Sequence, residues 1–330
     1  MRLTLAVPDL LTLERAALAA AKALVKLAHY AGPPDSQRGT LDALLASRLA
    51  TPDTAALAPL AALGAGFDPF GDYVLRADPV SLVAGRTDVA LAARIDDLDA
   101  SDTGALMATL NAHFGRDGLA FHAPRPDAWF VLVDHLPDLT TTPLAAVRGA
   151  IYPWLPAGGD AARWRRWLSE MQMLLHDHPA NVARAARGRV PVTGLWISDG
   201  GRIAKTGREQ TAAIFAAPGV AGDVARGLAL LRGSAACALP ADFAALPIRN
   251  ETVVVLDRAN LANASAFQSQ WVGPAVAALE RGTLSSLSLL ADGQGHALAW
   301  HAQRPTWNRR AVARFAPRPF APPFPDEDDA

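Results

Sequence analysis

The sequence predicts an α/β fold, with a mostly parallel central sheet flanked by helices and an antiparallel α+β middle region. Three observations carry that expectation. Leu3–Val7 and Thr252–Leu256 are short, uninterrupted apolar runs, as expected of strands buried on both faces. Stretches of helical periodicity separate them. Between Tyr73 and Val133 the pattern changes to short strand-like segments punctuated by turn residues.

The elements follow in order. After the first strand, Leu13, Ala16, Ala17, Ala20, Leu24 and Leu27 recur at helical spacing, which predicts a helix over about 12–29. Gly32-Pro33-Pro34 breaks it, and a second helix is expected over about 40–49. Thr51-Pro52-Asp53 then offers a cap and an N-terminal proline for another alanine- and leucine-rich helix. Tyr73–Ala77 and Val89–Ile95 read as strands. Ser101-Asp102-Thr103 opens a helix to about Phe114, and Leu119–His122 with Trp129–Val133 forms a hairpin around Pro124–Pro126.

A long helix is expected over 161–176, with Trp164, Trp167, Leu168, Met171, Leu174 and Leu175 on one face, a stripe that reads as core rather than as a ligand box. Asp177 or His178 can cap a short helix begun by Pro179 and ended by Gly188. Val190–Ile197 is expected to be a strand of the parallel sheet, leading into an Asp199-Gly200-Gly201 turn. Beyond it, Ile214 and Phe215 precede a helix over 220–231, and 271–281 is helical. Ser285–Leu290 and Ala297–Trp300 form a hairpin across Asp292-Gly293-Gln294-Gly295. The expected organisation is an α/β domain from 1–72 and 136–316, an α+β subdomain over 73–135, and a disordered, proline- and acid-rich tail over 317–330.

Composition narrows the function classes. The chain has 330 residues, is 51% hydrophobic, and has a net charge of −1 with 19% charged residues, so nothing electrostatic favours nucleic acid or an anionic membrane. The one cysteine, Cys237, excludes an internal disulfide and a cysteine metal cluster, and its alanine-rich setting suggests a small buried residue. No apolar run is long enough for a signal peptide or a bilayer span, so a bacterial cytoplasm is the expected location.

The residues around the Asp199-Gly200-Gly201 junction are the main candidate site. Glycines let backbone N–H groups approach an anion, and Arg184, Arg202 and Lys205 add positive charge; a plain turn with solvated basic residues is the competing reading. Gly201-Arg202-Ile203-Ala204-Lys205-Thr206 lacks the glycine that a P-loop needs immediately before its lysine. His176 and His178 stand two apart at a helix end, which excludes a HExxH zinc site. Asp96, Asp97, Asp99 and Asp102 lack the features of a calcium loop and are expected to serve helix capping.

The segment from His178 to Gly201 resembles the pattern His-Pro-x-Asn-x-x-Arg-x-x-x-Gly-x-x-Pro-x-Asn-x-x-Trp-x-Trp-Gly-x-Gly of archaeal-type cofactor-independent phosphoglycerate mutases and the related RpfE-type regulatory proteins. His178, Pro179, Asn181, Arg184, Gly188, Pro191, Trp196 and Gly201 stand in place. Thr193, Ser198 and Asp199 depart from it. Ala77-Asp78-Pro79 echoes a second segment of these relatives. The chain length, the Glu170-to-His176 lead-in and the first strand ending in Val7-Pro8 are more similar to the RpfE-type group.

The resemblance implies an alkaline-phosphatase-like fold. For the mutases it also implies two divalent metals and a phosphorylated serine, chemistry that needs clustered aspartates and histidines at strand ends. Here Asp9 follows the first strand but Leu10 replaces the relatives' glycine, and no serine follows in a nucleophile context. Asp292 to His296 matches Asp-x-x-Gly-His, but its flanks alternate as a β-hairpin and an ordinary Asp-Gly turn is the preferred reading.

The function expected is therefore a non-catalytic, phosphoglycerate-mutase-like protein with a regulatory or small-anion-binding role. Its anion pocket would comprise His178, Asn181, Arg184, Trp196, Asp199, Gly200 and Gly201, with Arg184 as anchor, no cofactor, and a small phosphorylated or carboxylate ligand. The alternative is a metal-dependent phosphoglycerate mutase or phosphatase using manganese or zinc on Asp9, Asp257, Asp292 and His296.

Overall fold

The computed structural model describes residues 1–49, 56–85, 88–205, 212–261, 264–293, 295–308, 310 and 320. The chain runs β1 (Arg2–Val7), α1 (Arg15–Ala20), α2 (Lys22–Ala31), β2 (Asp35–Arg38), α3 (Leu41–Leu49), α4 (Leu57–Gly64), β3 (Tyr73–Ala84) and β4 (Val89–Arg94). It continues through α5 (Ala100–Phe114), β5 (Leu119–Arg125), β6 (Ala128–Val133), α6 (Ala161–His176), α7 (Pro179–Ala186), β7 (Gly194–Gly201), β8 (Ala213–Ala216) and α8 (Val220–Leu231). It ends with β9 (Glu251–Val255), α9 (Ala264–Phe267), α10 (Gly273–Arg281), β10 (Ser286–Gly293) and β11 (His296–Gln303). Among the described residues no helix is long and apolar enough to cross a membrane.

The fold is mixed α/β. It divides into two compact units, the first from the described residues of 1–45, 209–217 and 235–330, the second from those of 46–208 and 218–234. In the first, a six-stranded sheet has the order β2-β11-β10-β1-β9-β8. Strands β10, β1, β9 and β8 run parallel, and the β10–β11–β2 side is antiparallel. Strand β1 lies between β10 and β9, which is why Leu3, Leu5, Ala6 and Val7 are all buried. Helix α2 lays Leu24, Leu27 and Tyr30 into the same core as Trp271 and Trp300.

The second unit is built on an antiparallel sheet in which β3 pairs with β4, β6 and β7, and β6 with β5. Trp164, Trp167, Leu168, Met171 and Leu175 of α6 are buried in its core, as their helical stripe predicts. Helices α4 and α8 touch backbone to backbone. A Cβ on Gly64 would lie 1.9 Å from the Asp223 carbonyl oxygen, and one on Gly227 would lie 1.8 Å from that of Leu60.

Several expectations need correction. The strand expected at 190–197 belongs to the antiparallel sheet, since its residues pair with β3, so 136–208 falls in the second unit rather than with the parallel sheet. After the Gly32-Pro33-Pro34 break, where the sequence predicts no strand, β2 forms and pairs with β11. Cys237 is exposed rather than buried, and its backbone forms an isolated bridge to Phe215 of β8. The expected cap at 51–53 and all of the expected tail at 317–330 except Phe320 lie outside the described residues. Phe320 is buried against Trp300, with ring centroids 4.7 Å apart.

Candidate functional site

The segment 178–201 is held by the second unit. His178 caps α7: its Nδ1 accepts from the Ala180 N–H at 3.1 Å, and its Nε2 lies 2.9 Å from the Thr109 hydroxyl. Burial lowers its pKa, which favours the neutral imidazole that this cap requires. Asn181 is buried and clasps the backbone, donating to the carbonyls of Leu175 at 2.6 Å and Val192 at 2.7 Å and accepting from the Val192 N–H. It thereby ties the end of α6 to the chain entering β7.

Arg184 is 1% exposed. Its Nε and Nη2 donate to the Val190 carbonyl, Nη2 also to Asp97 Oδ1 at 2.5 Å, and Nη1 to Asp102 Oδ2 at 3.2 Å. Arg187 donates twice to Asp102 at 2.9 Å, and Arg189 donates to Asp97 at 2.7 Å. Asp99 caps α5 by accepting from the Asp102 N–H. The acidic residues expected only to cap a helix therefore also receive the arginines that follow α7. Burial raises the Asp97 pKa, but the hydrogen bonds and charges of Arg184 and Arg189 outweigh it and leave the group below its usual value.

His178 and Arg184 thus face α5, not a shared cavity at Asp199. Trp196 is buried among Val80, Leu144, Val147 and Ile151, with its indole N–H donating to the Thr142 carbonyl at 2.8 Å. From Gly194 to Asp199 the strand itself extends about 16 Å, so Arg184, bound at Val190, and Asp199 stand toward opposite ends of this segment.

Asp199, Gly200 and Gly201 lie within β7 rather than in a turn after it. The pairing of β3 with β7 shifts between Val74 and Arg76, so Asp199 and Gly200 together oppose Leu75 in a bulge. Asp199 has φ of 58°, a strained value for a side chain. A Cβ on Gly200 would lie 2.6 Å from Leu75 and 2.7 Å from the Tyr73 hydroxyl, which explains the glycine. The Asp199 carboxyl, 15% exposed, accepts from the Ser198 hydroxyl and lies 3.8 Å from Arg76. Burial pushes its pKa up, against the opposing pull of Arg76 and Ser198. Nearby, Asp223 is almost fully buried and takes two donors from Arg125 at 2.7 and 3.2 Å. Sequence reasoning did not single out Arg76, Arg125 or Asp223, whose partners are remote in the chain.

In the first unit, Asp9, Asp257 and Asp292 lie at the C-terminal ends of the neighbouring strands β1, β9 and β10. They are not scattered. In open α/β sheets this edge is where ligands bind. Asp9 has φ of 57°, its N–H donates to Asp292 Oδ1 at 2.8 Å, and its carboxylate accepts from Arg258 Nε at 2.6 Å. The other Asp292 oxygen accepts from the Leu41 N–H at 2.7 Å. Burial raises the Asp292 pKa, partly offset by these two N–H groups. Asp257 Oδ1 accepts from the Asn260 N–H, and His296 opens β11 opposite Gly293.

Two divalent ions would compete here with contacts that the donor set already makes. Asp292 has each oxygen engaged by a backbone donor, and Asp9 holds a guanidinium. Among the described residues no group of three or more His, Cys, Asp or Glu side chains is arranged to hold a metal ion.

No protein-family model matches the chain, and no curated protein matches it. Among solved structures, it is similar to the cofactor-independent phosphoglycerate mutase from Thermoplasma acidophilum DSM 1728, at 16% identity and a TM-score of 0.43, over 93% of this chain and 90% of that one. It is also similar to the PH0037 protein from Pyrococcus horikoshii, at 14% identity and a TM-score of 0.48, over 92% of this chain and 87% of that one.

Proposed function

We propose that this protein is a non-catalytic regulatory protein on a phosphoglycerate-mutase-like α/β scaffold, and that it senses a small phosphorylated or carboxylate ligand at the strand ends of its first unit. The observation that carries the reading is Arg258, whose Nε is held by Asp9 at 2.6 Å while the side chain remains 70% exposed. A guanidinium at this position supplies one fixed positive charge next to carboxylates, where divalent ions would otherwise have to sit. Its outer Nη groups present a planar fork suited to two oxygens of a phosphate or carboxylate. The anchor moves accordingly from Arg184, whose donors are engaged within the protein, to Arg258.

The competing reading, a manganese- or zinc-dependent phosphomutase or phosphatase, draws on the adjacency of Asp9, Asp257 and Asp292 at the strand ends. Calorimetric titration with 3-phosphoglycerate, together with turnover assays with and without manganese, decides between them. The expected result is one-site binding that Arg258→Ala weakens at least about tenfold, the loss of a charge-assisted pair, with no turnover. Manganese-dependent turnover lost in Asp9→Ala or His296→Ala would establish the enzyme instead.

A further inference from the structure

Away from the strand ends, the first unit carries a cavity of about 710 Å³ between the α1–α2 pair and α10. This is within the size range of small-molecule sites. Two departures from regular helix shape it. The chain breaks between α1 and α2 at Ala21, just before Ala23, whose N–H donates to Gln268 Oε1 at 3.3 Å. Gln268 begins a π turn, Gln268–Val272, that delivers Gly273 to the start of α10. Wide turns of this kind are often found at functional sites.

The walls include the side chains of Ala20, Ala23, Val276 and Ala277. The polar groups at the rim are Lys22, Lys26 and Glu280. Lys26 and Glu280 neutralise each other at 2.7 Å, and Glu280 also accepts from the Tyr30 hydroxyl at 2.5 Å. Lys22 is exposed, and among the described residues it forms no ion pair. The surplus charge at the rim is therefore positive, above a wall that is mainly apolar.

We propose that this cavity binds a single-chain amphiphile with an anionic head, a medium-chain carboxylate, with its alkyl chain along the alanine wall and its head group at Lys22. The test is calorimetric titration of the full chain with decanoate, using decyltrimethylammonium as the charge-reversed probe. Decanoate should bind at one site and the cationic probe should not. Lys22→Gln should weaken decanoate binding about fivefold, the effect of one solvent-exposed charge. Ala277→Leu should weaken it by placing a bulky side chain in the path of the alkyl chain, and Ala20→Leu, on an exposed lining position, makes the same obstruction from the other wall should the first variant fold poorly. Arg258→Ala should bind decanoate normally, which separates this site from the strand-end ligand. Absence of saturable binding, equal binding of the cationic probe, or unchanged binding in Lys22→Gln and Ala20→Leu would each overturn the proposal. Self-association that decanoate does not relieve would assign the groove to a second copy of the chain and overturn it as well.

Discussion

Replacing Arg184 tests whether it is a ligand anchor or a structural one. In Arg184→Met the side chain keeps its length and apolar stem but loses every donor. Asp102, itself buried, would retain its paired bonds from Arg187 at 2.9 Å, so its charge is only partly abandoned. Asp97 would keep Arg189. The Val190 carbonyl would lose both of its arginine donors. Removing one partner of a buried ion pair costs about 3–5 kcal/mol. The remaining partners of both aspartates place this case at the lower end, about 3 kcal/mol, a large share of ordinary domain stability. The assay is urea unfolding with hydrogen exchange read at β3, β7 and α5, so that the second unit is followed separately from the first. Arg184→Lys should recover little, because an ammonium cannot span Asp97, Asp102 and Val190 at once. A loss below about 1 kcal/mol, with exchange at α5 unchanged, would refute the structural reasoning and return Arg184 to the ligand site.

The Asp97 carboxylate, lowered in the folded state by Arg184 and Arg189 despite the opposing effect of burial, gives a pH signature. Its contribution is present above the unfolded carboxylate value and is lost as pH falls through the depressed folded value; Asp97→Asn should flatten that acid-side slope in pH-dependent unfolding. Gly227→Ala should destabilise the second unit by about 2 kcal/mol, by forcing α8 away from the Leu60 carbonyl, and thermal unfolding will measure it. A shift within error would show that the two helices separate freely.

Much of the fold was legible because burial on both faces and helical stripes are local signals. The first strand, α6 with its two tryptophans, the Pro179 start of α7 and the β10–β11 hairpin all follow from a few neighbouring residues. Partnership was not legible. The apolar run before Asp199 reads as a buried strand in either sheet, and only its pairing with β3 decides between them. Asp199-Gly200 has the composition of a turn and the geometry of a bulge, because the deciding contacts, Leu75 and Tyr73, come from more than a hundred residues earlier in the chain. At the candidate sites, the acidic group over 97–102 and Arg184 were each singled out, Arg187 and Arg189 were not, and nothing local couples them. Asp9, Asp257 and Asp292 appeared unrelated along the chain, and the parallel order of β9, β1 and β10 makes them neighbours.

The way the chain passes between its two units governs the order in which they can be completed during synthesis. The second unit draws α8 from 218–234, after the chain has already contributed β8 to the other sheet, and α8 is the helix that α4 meets at bare backbone. Strand β1 has no neighbour in its sheet until β9 and β10, more than 240 residues later, have emerged. The second unit can close once residue 234 has emerged, whereas the sheet of the first must wait for β9 and β10. A ribosome-stalled chain ending before residue 218 should leave the apolar face of α4 uncovered and protease-sensitive, and only release of the C-terminal third lets β1 find its place.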